Sequence, residues 1–341
     1  MKEAVLTSVL LLSLACGQRE PDAATASAAP TDTAAPATAA RGGEPFRVGL
    51  LTPGSITDGG WNALAWEGAQ RIKNDLGAEI SHQETRTPPE MLEGFRAFGA
   101  KGFDLAFGHG FEYQDPAKAA GEQYPNTIFI TTSGSTIAKN VAPMRFQIEE
   151  ATYLLGVIAA RESKTGKAGL VGGINVPSIA SSFLAFKAGA QSVNPKFEVK
   201  EIYTGNFDDL GAAKVATLSL INAGVDYVFH QANEAGRGVF QACTERKIRC
   251  FGANADQSEL APDSIVASAV VDVPSAYVAM ARVVREGKFK PEIQHFGMNQ
   301  GTISVVWNER LRSSIKPETI AEVDRLTNEI KAGTVKPPAG F

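Results

Sequence analysis

The stretch that decides the fold is Arg47-Val-Gly-Leu-Leu-Thr-Pro-Gly-Ser-Ile-Thr-Asp-Gly-Gly-Trp-Asn62. Its apolar run from Val48 to Leu51 predicts a buried strand, and the proline and glycines that follow predict a loop. From Trp61 the pattern predicts a helix that continues to about Leu76. A strand, a glycine-rich loop and a helix in this order are typical of an open α/β sheet, which binds ligands where the loop leaves the carboxyl end of the strand.

Trp61 and Asn62 stand at the predicted start of this helix, where backbone N–H groups are unpaired and carry partial positive charge. An aromatic face and an amide at this place could contact a ligand together. The alternative is that Trp61 only packs the helix onto the sheet.

Composition excludes several classes of function. The chain has 341 residues, enough for two domains with well-formed cores, and a formal net charge of −4. No basic stripe is present, so we expect no nucleic-acid polymer as a partner. The four histidines and three cysteines are scattered without metal-ligand spacing, and no Walker A loop, GxGxxG, GxSxG or HExxH motif occurs. We therefore expect no metal, no cofactor and no enzymatic activity.

The first 44 residues predict export and anchoring. Residues 1–16 contain a short apolar run after Lys2, which is typical of a secretory signal rather than a membrane-spanning helix. The sequence Leu14-Ala15-Cys16-Gly17 resembles a bacterial lipobox and predicts lipidation of Cys16, although an ordinary signal with a chance cysteine is the alternative. Residues 17–44 are rich in Ala, Thr, Pro and Ser and predict a disordered tether.

From Phe46 onward strands and helices alternate, which predicts parallel sheets built from right-handed crossovers. The predicted strands are Arg47–Leu51, Glu79–His82, Leu105–Gly108, Thr127–Thr131, Ala168–Val171, Glu198–Tyr203, Tyr227–His230 and Cys250–Ala253. The predicted helices are Asn62–Leu76, Pro89–Ala100, Asp115–Gln123, Glu149–Ser163, Ser182–Val193, Asp209–Ala223, Gly236–Arg246, Val273–Glu286 and a charged helix at Pro317–Lys331. Similar strand openings at Arg47 and Lys167 indicate two similar lobes. We expect lobe 1 over residues 45–148, completed by about 272–298, and lobe 2 over 149–271, completed by about 299–341.

Three further loops follow predicted strands and carry candidate ligand contacts. Phe111 and Asp115 lie in the first, where Asp115 could equally cap a helix that begins with Pro116. Asn233 lies in the second, and Asn254 and Asp256 lie in the third.

Cys243 and Cys250 lie on adjacent predicted elements of one strand–helix unit. Pairing as a disulfide and remaining as buried free thiols are both open.

Several motifs together resemble the basic membrane protein family, the PnrA-like purine nucleoside-binding lipoproteins of bacterial ABC transporters. They are Asp58-Gly-Gly-Trp61-Asn62, Ala65-Trp-Glu-Gly68, Ser163-Lys-Thr-Gly-Lys-Ala-Gly-Leu-Val-Gly-Gly173, Phe186-Lys-Ala-Gly-Ala190, Asn194-Pro195, Gly205-Asn-Phe-Asp-Asp209, Asp256-Gln257 and Ala261-Pro-Asp263. They cover about residues 46–285 in the family's order. The resemblance implies a type I periplasmic-binding fold of two α/β lobes joined by three crossovers. It also implies a lipid-anchored receptor that closes on a purine nucleoside or base and delivers it to the permease and ATPase subunits of an ABC importer.

The resemblance also implies roles for individual residues. Trp61 takes the place of an aromatic residue that stacks on the purine, with Asn62 beside it, and Asp115 lies in the segment whose aspartate reads the base edge. The second stacking aromatic falls on Ser182, with Phe183 next to it. The aspartate and lysine that hold the ribose are replaced by Asn254 and by Val271 next to Asp272, which weakens the nucleoside assignment more than the fold.

Two other functions stay open. One is a receptor of the same fold for a sugar or another small polar solute, which the lost aspartate and lysine favour. The other is a ligand-sensing partner of a membrane signalling protein.

Overall fold

The computed structural model describes residues 44–340. The strands in this part of the chain are β1 (Arg47–Thr52), β2 (Glu79–Glu84), β3 (Leu105–Gly108), β4 (Ile128–Thr132), β5 (Val141–Phe146), β6 (Lys167–Gly172), β7 (Glu198–Tyr203), β8 (Tyr227–Gln231), β9 (Arg249–Asn254), β10 (Ile265–Val271), β11 (Gln294–Phe296) and β12 (Ile303–Trp307). They form two sheets, with spatial orders β11-β5-β4-β3-β1-β2 and β12-β10-β9-β8-β6-β7. All neighbours run parallel except β12, which is antiparallel to β10. The two orders are equivalent, with β1 and β6 in matching positions.

The α-helices of the same part of the chain are α1 (Trp61–Leu76), α2 (Pro88–Ala100), α3 (Gln114–Gln123), α4 (Glu149–Glu162), α5 (Pro177–Val193), α6 (Leu210–Asn222), α7 (Gly236–Arg246), α8 (Val273–Arg285), α9 (Glu309–Arg312) and α10 (Pro317–Lys331). Helices α1, α2, α3 and α8 pack with the first sheet, and we call this assembly lobe 1. The remaining helices pack with the second sheet, and we call this assembly lobe 2.

The strands are apolar because both faces of each sheet are covered. In β1, Val48 and Leu50 contribute to one hydrophobic cluster, whereas Leu51 contributes to another on the opposite face. Such double burial explains why β1 reads as a continuous apolar run rather than an alternating one.

The chain crosses between the lobes three times within the described residues. The crossings lie between β5 and α4, between β10 and α8, and between β11 and β12. The predicted two-lobed α/β fold with three crossovers is confirmed, and the carboxyl ends of the central strands in both sheets face the cleft between the lobes.

The predicted strands and helices are found within five residues of their expected bounds. The largest difference is at α5, which begins at Pro177 rather than Ser182, because proline is well suited to the first turn of a helix. Strands β5, β10, β11 and β12 were not predicted from the sequence.

Cys243 and Cys250 are buried free thiols. Burial and a hydrogen bond between the two side chains raise the pKa of the Cys250 thiol. The disulfide alternative is therefore not the state of this structure.

The predicted signal segment and tether, including Cys16, lie outside the described residues. Among residues 44–340, no helix combines the length and the apolar composition that crossing a bilayer requires. No cluster of side chains suited to holding a metal ion occurs in that same part of the chain.

Candidate functional site

A cavity of about 160 Å³ lies between the two lobes. Every part of its wall lies at the carboxyl end of a strand or in the segment that follows it, which is where open α/β sheets bind their ligands. From lobe 1 the wall is formed by Pro53, Gly54, Trp61, Asn62, Gly110, Phe111, Glu112, Ser133, Phe146 and Ile148. From lobe 2 it is formed by Val176, Ser178, Ile179, Phe207, Asp208, Gln231, Asn233, Asn254 and Val271.

Trp61 is the central aromatic residue of the lobe 1 wall. Its indole stacks on the imidazole of His109, with ring centroids 4.0 Å apart and 26° between the planes. The edge of Phe146 meets it at 6.0 Å and 89°. The side chain is half-buried and lines the cavity, so the indole is fixed from behind and from one side.

Asn62 presents an unpaired acceptor in the same wall. The residue is only 1% exposed, and its Oδ1 atom is buried without a hydrogen-bond partner. A buried carbonyl oxygen without a partner costs free energy, typically about 1–3 kcal/mol. A ligand that donates an N–H or O–H group here would remove this cost.

Asp58 holds the loop that presents these two residues. Its Oδ1 accepts from the backbone N–H groups of Gly60 and Ala63, at 2.9 and 3.0 Å, and its Oδ2 accepts from that of Asn62 at 2.9 Å. The carboxylate thus satisfies several free donors of the α1 N-terminus, where negative charge is favourable.

Three residues of the wall adopt the left-handed backbone conformation although they are not glycine. They are Ser133 (φ 65°), Asn233 (φ 50°) and Asn254 (φ 67°). Among the described residues only Lys247 shares this property. Such conformations cost about 1–3 kcal/mol each and concentrate where a protein positions groups for function.

The remaining donor of the α1 N-terminus is satisfied from the opposite lobe. The backbone N–H of Trp61 donates to Oδ1 of Asn233 at 3.3 Å. A second contact across the cleft joins the Arg86 guanidinium to the Asp208 carboxylate at 3.5 Å, with both side chains more than half exposed. The described structure therefore has its lobes in direct contact at the rim of the cavity.

The charged side chains of the wall are acidic. Glu112 lies over Gly110, where an added Cβ would come within 2.5 Å of the carboxylate. Desolvation between the walls raises the pKa of the Glu112 carboxyl. Asp208 lies on the opposite wall, and no Lys or Arg belongs to the described lining.

The structure brings together five of the predicted contact residues, namely Trp61, Asn62, Phe111, Asn233 and Asn254. The other four lie outside the lining. Asp58 caps α1, Asp115 is exposed in the first turn of α3, and Phe183 is buried against Tyr203 and Phe229. Asp256 is exposed, and its Oδ1 accepts from the backbone and hydroxyl groups of Ser258.

Several wall residues were missed in the sequence. Phe146 is the last residue of strand β5, which was not predicted, and Ile148 follows it. Phe207 and Asp208 lie in the loop after β7, whose sequence was used only for the family resemblance. Gln231 directly follows His230 at the end of β8. From the loop after β8 only Asn233 was predicted as a ligand contact, and the rule that ligands lie beyond the carboxyl ends of strands also identifies Phe207 in the loop after β7.

The chain also matches a known protein family over nearly all of its described residues. The family model described as ABC transporter substrate-binding protein PnrA-like matches residues 46–339. The chain belongs to this family. The family is described as substrate-binding proteins of ABC transporters, which confirms the predicted receptor role and the prediction that the chain is not an enzyme. The substrate-binding protein of an ABC importer works outside the cytoplasm and passes a small molecule to a permease.

Two relatives illustrate the family. The chain is 29% identical over 308 residues to a purine-binding protein of Brucella abortus (strain 2308), covering 89% of this chain and 85% of that protein. It is 29% identical over 256 residues to the ABC transporter nucleoside-binding protein BmpA of Lactococcus lactis subsp. cremoris, covering 69% and 73%.

A solved structure supports the fold of the family member. An ABC transporter solute-binding protein of Aeropyrum pernix K1 superposes with a TM-score of 0.78 at 24% identity, covering 86% of this chain and 93% of that one. At this identity the likeness concerns the fold alone.

Proposed function

We propose that this chain binds a purine base or nucleoside between its lobes and delivers it to an ABC importer. The observation that carries the proposal is the unpaired Oδ1 of Asn62 next to the half-buried indole of Trp61, in one wall of the cavity. A flat heterocycle with an N–H donor on its edge satisfies both groups. Stacking of a base on an aromatic side chain typically contributes about 1–3 kcal/mol.

The other wall residues support an uncharged ligand. Two carboxylates and several amides line the cavity, without a Lys or Arg among the described lining residues. A phosphate group would therefore meet repulsion rather than the guanidinium or ammonium groups that usually bind it. The cavity volume, about 160 Å³, resembles that of an engineered cavity of about 150 Å³ that holds benzene, so a larger ligand requires some separation of the lobes.

The part of the cavity that would hold a sugar lacks charge. Asn254 and Val271, which stand where the family resemblance places an aspartate and a lysine, both line the cavity. Without charge-assisted hydrogen bonds, the ribose adds little, and the base provides most of the affinity.

A panel of purified compounds tests the ligand assignment. Thermal unfolding of the full-length protein is followed with adenosine, inosine, guanosine, adenine, hypoxanthine, guanine, AMP and ribose. We expect stabilisation by purine bases and nucleosides and none by AMP. Stabilisation by ribose with no response to any purine would show a sugar receptor instead. Native mass spectrometry of the freshly purified protein gives an independent answer, because a retained solute is identified by its mass.

The anchor at Cys16 is part of the same proposal. A lipidated Cys16 followed by the Ala- and Pro-rich residues 17–44 would tether the receptor to the membrane beside its permease. Labelling of expressing cells with a palmitate analogue should mark the protein, and Cys16→Ser should abolish both the label and the partition into detergent. Equal labelling of the two proteins would refute the anchor.

A further inference from the structure

We propose that Tyr277 and His109 act as a positioning pair that fixes the indole plane of Trp61, so that one face is blocked and the other is held ready for a ligand. Neither residue lines the cavity. The inference rests on the proposed function for its ligand, but the positioning itself is a property of the free protein.

The hydrogen bonds define one arrangement of the pair. His109 Nε2 lies 2.9 Å from the backbone carbonyl oxygen of Trp61, and His109 Nδ1 lies 2.7 Å from the Tyr277 hydroxyl. A carbonyl oxygen only accepts, so Nε2 carries the proton and donates. In the neutral ring Nδ1 is then the acceptor, and the Tyr277 O–H donates to it.

The surroundings keep His109 in that form. The residue is fully buried, and burial lowers its pKa to about 3, so the ring is neutral at pH 7. The imidazole also stacks on the indole at 4.0 Å, which covers the rear face of Trp61. Backbone and side chain of Trp61 are thus held by the same histidine.

Tyr277 is itself rigidly placed. Its ring stacks on Phe107 of β3 with centroids 4.1 Å apart and 8° between the planes. It comes from α8, the helix that follows the second crossing from lobe 2. Helix α1 approaches it closely at Gly68, where an added Cβ would lie 3.1 Å from the tyrosine ring. The pair therefore joins the central strand β3, the crossing helix α8 and the indole into one packed unit.

If the pair only stabilised the fold, removing it would lower the melting temperature. If the pair positions Trp61, removing it should free the indole while the melting temperature stays near that of the wild type. Replacing both hydrogen-bonding partners with apolar groups of similar shape can leave stability nearly unchanged. The double variant His109→Leu/Tyr277→Phe therefore should keep a near-native melting temperature while it loses the support of the indole. Tyr277→Phe alone removes only one hydroxyl and serves as the milder variant if the double variant folds poorly.

The first measurement needs no ligand. The chain has three tryptophans, so Trp66→Phe/Trp307→Phe leaves Trp61 as the single indole. In this background, time-resolved fluorescence anisotropy should show faster local motion of Trp61 in the double variant and in Tyr277→Phe. The control is Tyr113→Phe, which removes another fully buried hydroxyl of lobe 1, bonded at 2.8 Å to Thr85 rather than to the support of Trp61. We expect the control to leave the anisotropy decay unchanged.

The second measurement is calorimetric titration with adenosine. Loss of one supporting hydrogen bond in Tyr277→Phe should weaken binding about threefold to tenfold, and the double variant should lose more. His109→Gln, whose amide both donates and accepts, should restore part of the affinity that His109→Leu loses. Unchanged anisotropy and unchanged adenosine affinity in a folded double variant would overturn the inference. If the wild type binds no adenosine but the anisotropy responds as expected, the proposed function fails and the positioning pair stands.

Discussion

At the scale of single residues, the site depends on two neighbouring residues, Trp61 and Asn62, that would make different contacts with a ligand. Trp61 offers a flat apolar face, and Asn62 offers a buried acceptor without a partner. Sequence position alone places them side by side at the start of a helix. The fold then turns both toward the same cavity.

Trp61→Ala should lower the affinity for a purine base or nucleoside by about 5- to 150-fold, because the stacking contribution of about 1–3 kcal/mol is lost. Calorimetric titration measures the effect. Trp66→Ala is the matched control, since Trp66 lies on the same helix, contacts His82 and is not part of the cavity lining. Equal losses in the two variants would contradict a specific role for Trp61.

Asn62→Leu should weaken ligand binding without lowering the free energy of unfolding. The variant removes a buried acceptor that lacks a partner, so the free energy of unfolding of the ligand-free protein should stay the same or rise by about 1 kcal/mol. Binding of adenosine should weaken at least tenfold, because a leucine accepts no hydrogen bond. Urea unfolding and calorimetry measure the two quantities on the same preparation. A variant that binds normally would show that this oxygen does not contact the ligand.

At the scale of secondary structure, the N-terminus of α1 is the element on which the lobe 1 wall depends. Asp58 accepts from three backbone N–H groups there, whereas Asp209 accepts from one at the start of α6. A single capping interaction typically contributes about 1 kcal/mol.

Asp58→Ala should therefore lower the free energy of unfolding by about 2 kcal/mol, and Asp209→Ala by about 1 kcal/mol. Urea unfolding of the two variants gives the comparison. The Asp58 variant should also bind more weakly, since the loop before Trp61 loses its anchor. Losses of the same size would mean that the additional hydrogen bonds of Asp58 contribute nothing.

Sequence patterns predicted the elements better than they predicted the contacts. Apolar runs and turn residues act locally, so β1, α1 and their loop could be predicted from Val48 to Leu76 alone. The positions of the Asp115 and Phe183 side chains could not be predicted in this way. Each lies on a helix close to the cavity, but its place on the helix turns Asp115 toward solvent and Phe183 into the core. Glu112, three residues before Asp115, lines the cavity.

At the scale of the whole molecule, contacts across the cleft hold the lobes together. The Asn233 side chain bonds the backbone N–H of Trp61, and its left-handed backbone, with φ of 50°, aims it there. The exposed Arg86–Asp208 pair adds a contact that salt weakens. A ligand stabilises the closed arrangement of the lobes in proportion to its preference for that arrangement over the open one.

Asn233→Gly keeps the left-handed backbone without strain and removes only the amide. We expect a larger radius of gyration in small-angle scattering of the ligand-free protein, because the open arrangement becomes more populated. Asn254→Gly is the control, since Asn254 has the same backbone region in the same wall and shows no hydrogen bond to lobe 1 in the described structure. A scattering curve identical to the wild type would show that this bond does not hold the lobes together.

The free energy of unfolding should also depend on pH, because burial lowers the pKa of two histidines and raises the pKa of one glutamate. Burial lowers the pKa of His109 to about 3 and that of His230 to about 4. Their contribution is complete above about pH 6.5 and is lost as the pH falls toward these values. Burial raises the pKa of Glu149 to about 7, so its contribution is complete below about pH 4.5 and is lost as the pH rises through 7.

Glu149→Gln removes the second of these effects. The variant should be more stable than the wild type at pH 8, by an amount of the order of 3 kcal/mol, and little different at pH 4.5. Urea unfolding at several pH values tests this, and the loss of stability on acidification should be steeper in the variant because the opposing effect of Glu149 is then absent. A constant difference between the two proteins at all pH values would exclude the titration of Glu149 as its cause.

The sequence by itself determined the two-lobed α/β architecture, the family and the position of Trp61 and Asn62, because strand and turn signals are local and the motifs are contiguous. Only the tertiary structure decided which side chains share the cavity. Glu112, Phe146, Phe207 and Asn233 lie far apart in the chain and meet because strands of two separate sheets end at one cleft. The support behind Trp61 was equally inaccessible to sequence reasoning, since His109 and Tyr277 are 168 residues apart and are joined only by packing.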